Sequence, residues 1–204
     1  MAHDVRIAGV DPSLTNTGLA LLDCSRQLPT LPIALHSIGW GGEAGASYLD
    51  RNRRGRELAS AVMSWLVSRS PDIVVIEAPI PRMQKRSGSV FDRWFLFELL
   101  LAECDLRKIE CVVVNPRTRQ AWLTGNGNAG KQEIHEAWRK ILAPVKVINA
   151  DIADALTLAY MAALRLDYEL PFPVKDRHWN QLDSVSWPAV WPEAARAPKQ
   201  LQLG

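Results

Sequence analysis

Val5-Arg6-Ile7-Ala8-Gly9-Val10-Asp11-Pro12-Ser13-Leu14-Thr15-Asn16-Thr17-Gly18 reads as a buried strand that ends on a carboxylate and breaks into a tight turn. Pro, Ser, Asn and Gly each suit a turn for their own steric or hydrogen-bonding reason. Leu19 to Leu22 and Ile33 to Ile38 then read as two more strands, which makes an antiparallel meander. A carboxylate at a strand end stands on the rim of the sheet, where α/β folds gather ligands. A turn aspartate bonding its own backbone is the alternative for Asp11.

Working outward, Asp50 to Arg69 carries Leu58, Val62, Trp65 and Leu66 at helical spacing. Ile73-Val74-Val75-Ile76 ends on Glu77. Its unbroken apolar run implies burial on both faces, as in a central or parallel strand. Glu77 has no turn role, and a lone buried carboxylate is costly. A helix over 89–106, a strand over Cys111 to Val114, helices over 117–123 and 131–142, an extended piece over 145–148 and a helix over 151–165 follow. Three strands, then strand–helix alternation, predict an α/β fold with a five-stranded mixed sheet flanked by helices on both faces.

The last of these helices opens Asp151-Ile152-Ala153-Asp154-Ala155. Its two aspartates are three apart and share a face. Asp151 could instead serve as the helix cap. Asp154 lies one turn in, between alanines small enough to let the helix approach the sheet, and a negative charge there needs a partner. Asp11, Glu77, Asp151 and Asp154 are therefore candidate metal ligands of one site. An oxygen-only set suits Mg²⁺ or Mn²⁺ better than zinc. Gly125-Asn126-Gly127-Asn128-Ala129-Gly130-Lys131 runs into a helix and could cradle a phosphate at its N-terminus. It lacks the Walker A order, and a plain loop with a solvated lysine is the other reading.

The chain has 204 residues and is 48% hydrophobic, enough for one domain with a core. A net charge of +2 names no partner. Clustered cations matter more for phosphate binding. They are Arg51, Arg53, Arg54 and Arg56; Arg82, Lys85, Arg86 and Arg93; and Arg117 and Arg119. Solvated faces are the bland account. Cys24, Cys104 and Cys111 form no paired spacing, which argues for reduced thiols. There is no signal-peptide pattern at the N-terminus and no apolar run near the ~18 residues of a membrane span. A soluble, cytoplasmic protein without membrane contact is the expectation. From Leu170 onward, Pro171, Pro173, Pro188, Pro192 and Pro198 alternate with Trp179, Trp187 and Trp191. Such proline density excludes a long helix or a central strand. An irregular segment packed over the core and fraying at its end is expected.

Taken together, these motifs resemble the RuvC family of Holliday junction resolvases. Ile7-Ala-Gly-Val-Asp-Pro-Ser-Leu-Thr-Asn-Thr-Gly-Leu19, Val75-Ile-Glu77, Thr124-Gly-Asn-Gly-Asn-Ala-Gly-Lys131 and Ala150-Asp-Ile-Ala-Asp-Ala-Leu156 fall in the family's order, across residues 5–166. The resemblance implies a ribonuclease H-like fold and a homodimer that cuts four-way DNA junctions. It implies a nuclease domain over 1–168 and places 169–204 outside it as a Pro/Trp-rich extension. By position, Asp11, Glu77, Asp151 and Asp154 would be the catalytic acids and Lys131 the active-site lysine. Arg82, Lys85, Arg86, Arg117 and Arg119 are the candidate DNA-binding residues. Three departures stand out. The family's second lysine falls on Gln120, with Arg119 beside it. The usual glutamine after the second acid is Ala78. The junction-opening aromatic has no counterpart between Glu77 and Phe91.

The implied chemistry is hydrolysis with two Mg²⁺ ions roughly 4 Å apart, with Mn²⁺ able to substitute. It leaves a 5′-phosphate and a 3′-hydroxyl. Branched DNA is the implied partner. Rival readings are a broader flap or fork nuclease of the same fold and a non-catalytic DNA-binding protein. A sugar-kinase-like phosphotransferase would need a second copy of the fold.

Overall fold

The computed structural model describes residues 5–79, 88–143, 145–189 and 191. Five strands form one sheet: β1 (Val5–Asp11), β2 (Thr17–Cys24), β3 (Leu31–Ile38), β4 (Ile73–Glu77) and β5 (Glu110–Val114). Their order is β3-β2-β1-β4-β5. The meander β1–β2–β3 is antiparallel, while β4 pairs in parallel with β1 and β5 in parallel with β4. The predicted mixed α/β sheet is therefore present, and β4 is central, as its apolar run implied. Residues 145–148 are not a strand.

Period-2 alternation divides the sheet into two buried faces. Ala8, Val10, Leu19, Leu21, Val74 and Ile76 pack under α1 (Tyr48–Val67) and α2 (Gly88–Leu106). Ile7, Ala20, Leu22, Ile73, Val75, Val112 and Val114 pack under the other helices. These are α3 (Pro116–Thr124), α4 (Lys131–Ile141), α5 (Ala150–Arg165) and a short α6 (Asp176–Leu182). Asp11 continues the Ile7–Gly9 row and Glu77 the Ile73–Val75 row, so both acids end strands on the face that α5 covers.

Helix α5 is the hub of that face: every residue from Ile152 to Leu164 is buried. Two strand glycines set how closely it lies. A Cβ on Gly9 would come 1.9 Å from the Ala155 carbonyl oxygen, and one on Gly18 would come 1.9 Å from that of Asp151. The close crossing thus depends on two residues without side chains. It brings the first two turns of α5 onto the ends of β1 and β2, where Asp11 pairs with Gly18.

The C-terminal segment is less irregular than its prolines suggested. Residues 174–187 contain no proline, and α6 forms within that window. Lys175 is its N-cap residue, and the Lys175 N–H donates to His178 Nδ1 at 2.8 Å. Phe172 and His178 join Trp122, Trp138 and Tyr160 in one aromatic cluster. Arg177 donates from Nη2 to the Leu123 carbonyl at 2.9 Å, which satisfies an open acceptor at the C-terminal end of α3. Among the described residues no helix is long and apolar enough to cross a membrane.

Candidate active site

The rim of the sheet gathers carboxylates from three elements. Asp11 ends β1, Glu77 ends β4, and Asp151 and Asp154 occupy the first two turns of α5. Oxygens of Asp11, Asp151 and Asp154 lie within 4.8 Å of one another. Asn149, not Asp151, caps α5, its side-chain oxygen accepting from the Ile152 N–H at 2.9 Å. The Asp151 carboxylate is therefore left for other contacts. It accepts from Asn16 in the β1–β2 turn and from Lys131.

Among the described residues, two cations stand beside these acids. Lys131 begins α4 just after the glycine loop. Its Nζ pairs with Asp151 and lies 4.0 Å from Asp11 Oδ2 and 4.0 Å from Asp154 Oδ2. The second cation is Arg119, which the sequence reading assigned to a DNA-binding cluster. It is only 2% exposed. Its Nε donates to Glu77 and its Nη1 to Asp154. Helix geometry explains the difference. Arg119 shares the buried side of α3 with Pro116, Trp122 and Leu123, while Arg117 points to solvent. Arg117 keeps its place on an exposed surface. Arg82, Lys85 and Arg86 lie outside the described residues.

Among the described residues, four carboxylates facing two cations leave two uncompensated negative charges when all are ionised. Burial and mutual repulsion resist that state. Burial, reinforced by Glu77, pushes the Asp11 carboxyl up to about 7 against the pull of Arg119 and Lys131. Burial also pushes Asp154 up to about 7, opposed first by Arg119. Glu77 is raised for the same leading reason. Burial alone would lower Lys131, but Asp11, Asp151 and Asp154 outweigh it and raise the ammonium above its ordinary value. Asp154 Oδ2 is buried without a hydrogen-bond partner. A wholly oxygen donor set with excess negative charge and one unmatched buried oxygen fits a hard divalent cation.

Residues that the sequence reading missed are also explained. Asn16 sits in the quoted turn, but nothing local signals that it reaches α5. Gly9 and Gly18 look like ordinary strand glycines until the helix is laid over them. His135 on α4 is half-buried, and its Nε2 lies 2.9 Å from the Val147 carbonyl oxygen.

Known proteins resemble this chain over most of its length. The family described as crossover junction endodeoxyribonuclease RuvC matches residues 7–162. The protein of that name from Paenarthrobacter aurescens is 30% identical over 164 residues, 79% of this chain and 82% of the relative. Thermus thermophilus RuvC, solved in complex with a Holliday junction substrate, superposes with a TM-score of 0.61 at 20% identity, over 76% of this chain and 90% of that one. The yeast mitochondrial Holliday junction resolvase superposes with a TM-score of 0.55 at 12% identity, over 90% of this chain and 82% of that one. The likeness spans every element that supplies an acid or a cation to the crevice, and the chain belongs to the RuvC family of crossover junction endodeoxyribonucleases.

Proposed function

We propose that this protein resolves four-way DNA junctions by hydrolysing a phosphodiester in each of two strands, at the crevice formed by Asp11, Glu77, Asp151 and Asp154. The observation that carries this reading is the convergence of acids from β1, β4 and α5 beside Lys131, in a chain of the RuvC family. The acids would hold Mg²⁺, which when bound supplies a nucleophilic water near neutral pH and stabilises the leaving 3′ oxygen. The chain's own residues do the rest. Asn16 and Lys131 fix the orientation of Asp151. The Lys131 side chain is 56% exposed, so its ammonium is free to face the scissile phosphate and offset charge that grows there in the transition state. Arg117 contributes to holding a duplex arm through its phosphates, a contact that positions without reading sequence. Arg82, Lys85 and Arg86 are assigned the same role on sequence grounds.

A junction offers two symmetry-related strands, so a twofold homodimer would present two crevices in register. Phe91 on α2 is 71% exposed and Leu106, at the end of the same helix, 72%; Trp94 and Phe95 are partly buried. They remain available to such an interface. Phe97 of the same helix is 5% exposed and belongs to the core. Cys24, Cys104 and Cys111 are not in disulfides, which suits the cytoplasm as the place of action.

The deciding experiment compares Mg²⁺-dependent cleavage of four-way junctions, flaps and linear duplex by the full chain, with light scattering on the same samples. Paired cuts in the junction by a dimer are expected. Flap cutting by a monomer, with junctions left intact, would replace junction resolution with a broader branched-DNA nuclease.

A further inference from the structure

Arg119 is buried in the crevice and ion-paired with both Glu77 and Asp154. A guanidinium cannot lose its proton, so it can leave Glu77 and Asp154 only by moving. The three acids with mutually close oxygens are Asp11, Asp151 and Asp154. Glu77 is tied to Arg119 instead. Asp154 divides its two oxygens: Oδ1 accepts from Arg119, while Oδ2 has no hydrogen-bond partner. Each side of the crevice thus faces a cation: Lys131, on a half-exposed side chain, stands at Asp11, Asp151 and Asp154 Oδ2, and Arg119, buried, fills the side of Glu77 and Asp154 Oδ1. The backbone beneath Arg119 is held, because Trp122 is fully buried in the aromatic cluster and Arg177 binds the end of α3. The side chain is the part able to exchange.

Charge gives this division a consequence. With Arg119 and Lys131 in place, one divalent ion brings the four acids to neutrality. A second would leave the crevice with two excess positive charges, in a buried setting where such an imbalance is costly. An anionic phosphodiester changes that balance.

We infer that Arg119 occupies the Glu77–Asp154 side in place of a second divalent ion, so that the DNA-free protein binds one ion per chain and admits the second only with the scissile phosphate. This rests on the metal-dependent reading of the crevice. Arg119 is on this account a positioning residue whose displacement completes the site when the correct ligand arrives.

The test counts Mn²⁺ bound to the full-length chain by electron paramagnetic resonance and titration calorimetry, taking as specific only the ions lost in Asp11→Asn. Wild type without DNA should bind one. Arg119→Gln should bind two without DNA, with at least a tenfold gain in second-ion affinity. Wild type given a four-way junction with uncleavable phosphorothioate linkages should also go from one to two. An arginine that merely braces the fold would lower the melting temperature of Arg119→Gln and leave the count at one, and that result overturns the inference. Two specific ions on DNA-free wild type, or one ion with the junction bound, would overturn it equally, and neither measurement needs the variant to fold. Junction cleavage by wild type with Mg²⁺ is read separately. If cleavage fails while the count still rises from one to two, the nuclease reading falls and the role of Arg119 stands.

Discussion

Helix α3 serves two regions that differ in what they bury, charged groups in one and aromatic rings in the other. Arg119 enters the acid crevice, and Trp122, one turn further on, enters the aromatic cluster under α6. In the cluster the fully buried Trp138 donates to Thr157 at 2.7 Å, and Tyr160 donates to the Thr30 carbonyl at 3.0 Å. Trp138 and Tyr160 stack at 4.8 Å between centroids. The cluster carries no buried carboxylate. The crevice places four carboxylates against two cations and leaves Asp154 Oδ2 unmatched. The cluster leaves Trp122 Nε1 and His178 Nε2 without partners too, but what it buries is mainly uncharged ring area, which serves stability. The crevice buries more negative charge than its described cations balance, a local inconsistency of the kind functional sites carry.

If that contrast is right, a substitution in the crevice should separate activity from stability. Asp11→Asn should lower Mg²⁺-dependent junction cleavage by at least about a thousandfold, some 4 kcal/mol of barrier. Junction binding in a gel-shift assay should survive. The same change removes a buried charge, so the EDTA-treated variant should melt no lower than wild type. A variant that is unfolded, or one that cuts at near wild-type rate, would remove the contrast at its source.

The cluster should behave the other way. Trp122→Ala opens a cavity beside Phe172 and His178 and should cost about 3 kcal/mol in urea unfolding. Residual activity per folded molecule should fall much less than in Asp11→Asn. A loss confined to activity would mean that the cluster serves the crevice rather than the fold.

Lys131→Ala is a finer probe, because Lys131 is the exposed cation of the pair. Single-turnover cleavage should slow by about 2–3 kcal/mol of barrier, the scale of a lost transition-state donor. Junction affinity should change little. An unaltered rate would return Lys131 to a solvated surface role.

The contrast also explains what could be read from sequence. Asp11 and Glu77 were legible because each ends an apolar run, and period-2 alternation fixes the face on which each stands. Asp154 was legible because an aspartate between alanines in a helix has no local partner. Arg119 was misplaced because it was grouped with Arg117 by proximity in the chain. Its spacing from Pro116, Trp122 and Leu123 marks the buried stripe of α3, and that periodicity was available. Asn16 was not available, since its contact with Asp151 spans 135 positions. The glycines of β1 and β2 gained meaning only once α5 was seen to cross them. The proline-free stretch that holds α6 was obscured by treating the tail as a single composition.

The smallest expected effect is a difference in the sign of pH dependence. In the metal-free protein the folded-state carboxyls of Asp11 and Asp154 sit near 7, well above their ordinary value. Asp11 faces Glu77, Arg119, Lys131 and Asp151; Asp154 faces Arg119, Asp11, Lys131 and Asp151. Between about pH 4 and 7 the folded chain therefore holds more protons at this site than the unfolded chain, and stability falls as pH rises. His178 does the reverse. Burial lowers it to about 4, helped by the positive charges of Arg177 and Lys175. Between about pH 4 and 6.5 the unfolded chain holds the extra proton, so this histidine makes stability rise with pH. The two slopes oppose each other in wild type, and the net change in melting temperature should be only a few degrees, at about 2–4 °C per kcal/mol for a domain of this size. His178→Leu should expose the crevice contribution alone. After EDTA treatment its melting temperature should fall from pH 5 to about pH 7 and level off above that. Asp154→Asn should tilt the profile the other way. Saturating Mn²⁺ should flatten the fall in His178→Leu, because an ion holds the carboxylates ionised in the folded state and supplies the missing positive charge. A fall that persists unchanged with Mn²⁺ would mean that the titrating acids are not those that bind the metal, and the crevice would lose its distinction from an ordinary buried salt-bridge network.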